Sequence, residues 1–383
     1  MQLSDGEQDL DDEKNPLESW EDGAAFGVAV EKDPICKTPV EEWIKEVKIK
    51  STADVPIPKN LVDQVIGQEA ASIVVRKAAE QRRHVIMVGE PGTGKSMLAR
   101  SMTEFLPKEQ LEDILVYRNQ DDENEPKVRT VPAGRGSRII SERKALIRQQ
   151  RERTNRTLLF IVLIVGAALV LATLSSGEIL TLIFGSFLLI FGYFFLRGRL
   201  TAGDEGNIPK LLVKHERNEE PPFIDATGTL AGALLGDVRH DPFQSGADLA
   251  TPAHERVEPG AVHRANKGVL YIDEIRMLRM EEQQALLVAM QEKALSISGR
   301  SERSSGALTK SEPVPTDFIL IAAGNLDSIQ NMHPALRSRI RGYGYEVYVN
   351  TDMPDTDKNR RRLVRFVSQE VVNERKKTSG KPI

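Results

Sequence analysis

The stretch Gly89-Glu90-Pro91-Gly92-Thr93-Gly94-Lys95-Ser96 matches G-x-x-x-x-G-K-[ST] at every position. Its glycines let backbone N–H groups turn toward phosphate oxygens, and the positive end of a following helix adds to the attraction. Lys95 would reach the β- and γ-phosphates of a nucleoside triphosphate such as ATP, and Ser96 would hold Mg²⁺. A glycine loop arising by chance is the competing reading. It loses ground when a strand precedes the loop and a helix follows it.

Three further stretches carry polar tips on apolar runs. Val269-Leu270-Tyr271-Ile272 delivers Asp273 and Glu274, two adjacent carboxylates. Asp273 would orient the Mg²⁺ shell, and Glu274 would polarise an attacking water as general base. Alone, the pair would equally suit a salt-bridged strand end; beside a phosphate loop it suits hydrolysis. Leu320 to Gly324 ends in Asn325, placed to bond the attacking water or the γ-phosphate, or to act as a strand-end turn residue. Arg337, Arg339 and Arg341 follow in Pro334-Ala335-Leu336-Arg337-Ser338-Arg339-Ile340-Arg341. One of them is a candidate to stabilise charge on ATP in a neighbouring subunit.

These residues need elements to hold them. His84 to Val88 is a short apolar strand, and Lys95 to Phe105 reads as a helix, the context the glycine loop requires. Gly268 to Ile275 and Phe318 to Ala323 read as buried strands, with a helix from Met280 to Lys293 between them. Strands alternating with helices predict an α/β fold, a parallel sheet covered on both faces. Val40, Trp43, Ile44 and Val47 space an amphipathic helix near the start, and Leu363, Phe366, Val367 and Val371 space another near the end.

Composition excludes less. The 383 residues are 40% hydrophobic and 28% charged, with a formal net charge of −4. Acidic residues crowd the first thirty-odd positions, which read as a solvated tail. The acidic start carries no signal-peptide pattern. Cys36 is the single cysteine, so no intrachain disulfide is possible. His240 and His263 lack the spacing of a metal pair.

Two apolar runs, Leu158 to Leu174 and Ile179 to Leu196, interrupt the chain between Lys95 and Asp273. Each is just under 20 residues, near the lower limit for crossing a hydrocarbon core, and only Ser175-Ser176-Gly177-Glu178 joins them. A buried core hairpin is the alternative. Arg143, Lys144, Arg148, Arg151, Arg153 and Arg156 crowd the approach, Arg197 and Arg199 the exit, and the connector has no positive charge. The positive-inside rule then places both flanks in the cytoplasm, in a plasma-membrane protein with two spans. No basic groove lies outside this helix, so nucleic acid is not expected as a partner.

The motifs in this order resemble the AAA+ ATPases, and several stretches resemble the archaeal membrane-anchored B-type Lon proteases. Those stretches are Leu61 to Ala70, Gly232 to Phe243, Pro252 to Ala265 and Arg337 to Val347. The resemblance implies an AAA+ P-loop three-layer αβα domain with an inserted two-helix transmembrane hairpin and the start of a small helical domain. The expected layout is an acidic tail over 1–38 and a first ATPase part over 39–137. A membrane insertion follows over 138–200, with spans at about 157–174 and 179–196. The second ATPase part is 201–354, and a truncated small domain 355–383. ATP and Mg²⁺ are the implied cofactors, and protein substrates, further copies in a ring (a hexamer by resemblance) and a lipid bilayer the implied partners. Gly89 to Ser96 would bind nucleotide, with Ile66 and Gly67 on the adenine side and Ser96 and Asp273 on the metal. Glu274, Asn325 and Arg339 would be catalytic, Arg339 as arginine finger. Leu234-Leu235-Gly236 would be the loop gripping substrate polypeptide. The Ser–Lys peptidase pair of that family is carried over to no residue of this chain. The rivals are a membrane-anchored unfoldase without peptidase, and a chelatase-like or nucleic-acid motor.

Overall fold

A computed structural model describes residues 34–47, 58, 60–176, 179–202, 208–240, 251–299 and 309–379. Most of the acidic tail, and Pro242 and Phe243, lie outside the described residues. In chain order the first elements are α1 (Val40–Val47), α2 (Glu69–Glu80), β1 (Val85–Val88), α3 (Lys95–Ser101), β2 (Glu112–Tyr117) and β3 (Lys127–Pro132). Then come α4 (Arg135–Ser176), α5 (Ile179–Ala202), β4 (Lys210–Val213), β5 (Phe223–Asp225), α6 (Ala231–Leu235), β6 (Asp237–Val238), α7 (Ala253–Arg256), β7 (Val257–Glu258) and α8 (Ala261–Arg264). The last are β8 (Val269–Ile272), α9 (Met280–Glu292), β9 (Ala294–Leu295), β10 (Val314–Pro315), β11 (Ile319–Gly324), α10 (Leu326–Gln330), α11 (Pro334–Tyr343), β12 (Tyr345–Tyr348) and α12 (Asp357–Ser379).

Five strands form one sheet in the order β12-β1-β11-β8-β5, every neighbouring pair parallel. The strands are apolar on both faces because both faces are covered. Ile86, Leu270, Ile272, Leu320 and Ala322 enter one core with Leu234, Leu286, Ile329 and Leu336 from the helices. Their alternates Met87, Val269, Tyr271, Ile321 and Ala323 enter the other core with Val75, Ala78, Leu98 and Ala99. This alternation is the two-residue period of a strand acting on a sheet buried twice.

A second sheet was not foreseen. The strands β3-β2-β4 are antiparallel, and β4 returns to β2 only after the long excursion of α4 and α5. The buried Asp113 carboxylate closes that excursion at its root, accepting the N–H of Gly136 where α4 begins and of His215 just past β4, each at 2.8 Å. A Cβ at Gly136 would meet Leu211 Cδ1 at 2.8 Å and Asp113 Cβ at 3.0 Å, so a larger residue there would push these side chains aside.

The helix α4 runs 42 residues without a break, joining the charged stretch and the first apolar run into one rod. Its packing on α5 is close: a Cβ on Gly185 would lie 2.5 Å from Leu169 Cδ1. Phe160, Leu163, Ile164, Leu171, Phe187 and Phe191 are all more than half exposed on these two helices. Among the described residues one helix, Arg135–Leu171, is long and apolar enough to cross a membrane, while Ile183–Arg197 is a shorter apolar segment. The two spans expected at about 157–174 and 179–196 are thus matched by one such helix.

Two histidines hold this fold only when neutral. His84 Nδ1 accepts the Leu320 N–H, and His263 Nδ1 accepts the Gly260 N–H while Nε2 faces the Leu295 carbonyl. Burial pushes each down to about 4, in His84 aided by the charge of Arg339. A folded-state value below the ordinary 6.5 means that the unfolded chain takes up protons first as pH falls. Stability is therefore full above pH 6.5 and declines between pH 6.5 and 4. The decline approaches on the order of 3 kcal/mol per histidine, and denaturant unfolding at pH 7.5, 6.0 and 4.5 would measure it.

Candidate functional site

Sheet order decides what comes together. The strand β11 pairs with β1 on one side and β8 on the other. Adjacent strands lie about 4.8 Å apart, so the loop after β1, the tip of β11 and the carboxylates after β8 share one edge. The Gly89 N–H donates to the Gly324 carbonyl at 3.1 Å, tying the start of the phosphate loop to the strand tip that carries Asn325.

Within the loop Gly92 and Gly94 have φ of 84° and 87°, a region that costs any other residue strain. A Cβ at either would meet nothing within 4 Å, so the backbone conformation and not crowding calls for glycine here. Lys95 is buried at 5% exposure, and its ammonium donates to the Gly89 and Glu90 carbonyls, both at 2.9 Å. Thr93 Oγ1 donates to the Glu90 carbonyl at 2.8 Å, and Ser96 stands exposed beside Lys95. Pro91, between them, is also exposed.

Asp273 and Glu274 follow β8 immediately. The Asp273 N–H donates to Thr227 Oγ1 at 2.9 Å, and Asp273 Oδ1 in turn accepts the Glu274 N–H at 3.0 Å. Glu274 has φ 50° and ψ 52°, left-handed backbone that a non-glycine residue adopts at a cost. Its Oε2 accepts from Ser328 Oγ at 2.9 Å, with Arg276 Nε 3.7 Å away. Asn325 caps α10, its Oδ1 accepting the Ser328 N–H at 2.8 Å. With the carbonyl so engaged, Asn325 has its amide N–H₂ to offer a phosphate oxygen or a water.

Ser96 and Asp273 supply a hydroxyl and a carboxylate, hard oxygen donors suited to Mg²⁺ when nucleotide phosphates and waters complete the shell. No cluster of three or more His, Cys, Asp or Glu able to hold a metal by itself occurs among the described residues. Ile66 is half-buried and Gly67 buried with φ 71°. The Gly67 carbonyl accepts from Asn350 Nδ2 at 3.1 Å, and Gln68 bonds Asn350 twice. This segment thus packs on the stretch leading into α12. Val349 just ahead of it meets the phosphate loop, its Cβ 3.0 Å from a Cβ placed on Gly89.

Two of the three arginines separate clearly. Arg341 pairs with both carboxylate oxygens of the buried Glu346, which Tyr348 also reaches. Arg339 lies over the exposed Tyr343 ring, 4.4 Å from its centroid, and has no ion pair among the described residues. The helix α11 ends where β12 begins, and the Tyr345 N–H donates to the His84 carbonyl just before β1. Arg339 therefore sits at the sheet edge where the strands start, opposite the phosphate loop.

Comparison with known proteins gives its relatives. The archaeal Lon protease of Thermoplasma acidophilum is 54% identical over 338 residues, covering 88% of this chain and 51% of that protein. The one from Thermococcus kodakarensis is 56% identical over 325 residues, covering 85% and 50%. The chain is homologous to the archaeal Lon proteases along most of its own length. It spans about half the length of these relatives. The family model described as "Magnesium chelatase, subunit ChlI" matches residues 61–131, and "Sigma-54 interaction domain" matches 243–337.

One Lon-derived expectation is overturned. Leu234 and Leu235 are buried in the core against Ala261, Leu286 and their neighbours, so they cannot grip a polypeptide. Gly260 fixes this arrangement, because a Cβ there would lie 2.4 Å from the Leu234 carbonyl and 2.2 Å from Gly236 N. Among the described residues 228–240, the exposed large apolar residue is Leu230, at 82%. Thr227 and Ser328 were not anticipated as site residues. Each lies near a motif in sequence but acts on a residue some fifty positions away.

Removing Arg341 leaves a buried carboxylate without its cation. Arg341→Ala is expected to lower unfolding free energy by about 1–2 kcal/mol, and Arg339→Ala to change it by less than about 0.5 kcal/mol. Denaturant melts of the two variants side by side check the assignment.

Proposed function

We propose that this chain is the ATP-binding and ATP-hydrolysing motor portion of a membrane-bound, ATP-dependent Lon-type serine protease. The observation that carries this reading is the convergence on one sheet edge of the Gly89–Ser96 loop, Asn325 and the Asp273–Glu274 pair. The backbone amides of the loop and the Lys95 ammonium bind the β- and γ-phosphates as electrostatic donors, the ammonium exchanging the Gly89 and Glu90 carbonyls for phosphate oxygens. Ser96 and Asp273 hold Mg²⁺, which when bound neutralises phosphate charge. Glu274 takes the proton of the attacking water, and Asn325 orients that water or the γ-phosphate through its amide N–H₂.

Arg339, at the far edge of the sheet, acts on the nucleotide of an adjacent copy, which makes a ring (a hexamer in this reading) the working assembly. Leu230, rather than Leu234 or Leu235, is the residue offered to substrate polypeptide. The exposed Leu, Ile and Phe residues of α4 and α5 face lipid, because an apolar surface of that extent is not stable in water. The charged approach of α4 then lies on the cytoplasmic side. The chelatase and sigma-54 matches support the rival of a chelatase-like motor, but the identity of more than half to archaeal Lon proteases favours the protease reading.

Two experiments test it in the complete protein. Glu274→Gln should retain ATP binding and lose about a hundredfold or more in turnover; wild-type turnover would remove Glu274 from the role of base. Ser176→Cys should react with a membrane-impermeant maleimide on intact cells. Reaction only after permeabilisation would overturn the topology.

A further inference from the structure

We infer that Ser328 is a positioning residue through which Asn325 controls the orientation of the Glu274 carboxylate. The inference rests on the proposed roles of Glu274 as base and Asn325 as the residue facing the γ-phosphate. Ser328 is fully buried and is bonded at both of its ends to these two residues: its N–H donates to Asn325 Oδ1 at 2.8 Å and its hydroxyl to Glu274 Oε2 at 2.9 Å.

A serine in a helix ordinarily turns its hydroxyl back to a carbonyl three or four residues earlier. Ser101 and Ser368 do so here, to Leu98 and Val364. Ser328 reaches instead across 54 residues to a carboxylate. Space for that reach comes from Gly324, where a Cβ would lie 2.8 Å from Ser328 Cβ.

The far end is equally constrained. Glu274 has left-handed backbone, and its N–H is held by Asp273 Oδ1, so the freedom left to it is in its side chain. That side chain has two neighbours that set its direction, the Ser328 hydroxyl and, 3.7 Å off, Arg276. Any shift of Asn325 toward phosphate strains the cap on α10, displaces the Ser328 N–H and hydroxyl together, and re-aims the carboxylate. Nucleotide contact and base placement thus become one movement, carried by one residue that touches neither nucleotide nor water.

The test measures ATP turnover per bound nucleotide in the complete protein for Ser328→Ala, Asn325→Ala, the double variant and Glu274→Gln. Loss of a hydrogen bond to a charged group predicts a kcat about tenfold lower in Ser328→Ala, with KM for ATP within about twofold. In the Asn325→Ala background the same change should have almost no further effect, because the coupling is already broken. Wild-type kcat in Ser328→Ala, or effects of the two substitutions that multiply, would overturn the coupling while leaving the base assignment intact. Wild-type turnover in Glu274→Gln would instead remove the reading beneath it.

Discussion

The parallel pairing of β11 between β1 and β8 is the constraint on which the site depends. Val88 stands opposite Gly324 in one ladder and Ile272 opposite Ala322 in the other, so β1 and β11 end level and β8 two residues short of them, where Asp273 and Glu274 continue. Each then releases polar residues into the space beyond its last buried pair. A slip of one residue in either ladder would turn every side chain of a strand to the opposite core. The two cores accept different partners, so packing enforces the register, and the register sets the chemistry.

Around that edge, rigidity comes from small approaches that other residues could not make. Gly260 against Gly236 locks α6 to α8, and Gly268 lies so near Pro222 that a Cβ would be 2.1 Å from its carbonyl. Such contacts place the end of β5, with Thr227, within reach of Asp273. The small antiparallel sheet does the corresponding work for α4 and α5. Through Asp113, the point where the chain leaves and the point where it returns are held by one buried carboxylate.

Much of the central sheet was legible because its signals are contiguous. Strand, glycine loop and helix follow one another from Val85 to Ser101, and apolar runs ending in Asp273 and in Asn325 declare their own ends. The sheet β3-β2-β4 was not legible, since β4 is separated from β2 by the whole excursion and neither strand carries a motif. Leu234 and Leu235 were misread for a related reason. An apolar pair before a glycine suits an exposed loop and a buried turn equally, and only Gly260, over twenty residues later, decides between them. Ser328 was invisible because its significance lies in a hydrogen bond to a residue fifty-four positions away.

The placement of Arg339 has a genetic consequence. On the proposed reading the phosphate loop and Arg339 occupy opposite edges of one sheet, so each molecule carries two half-sites and completes neither alone. A lesion in Lys95 would silence the molecule that bears it, whereas a lesion in Arg339 would silence its neighbour. In a cell making both intact and altered chains, the second kind of lesion spreads through mixed assemblies. Its inheritance would be dominant, even though the altered chain folds and binds nucleotide normally.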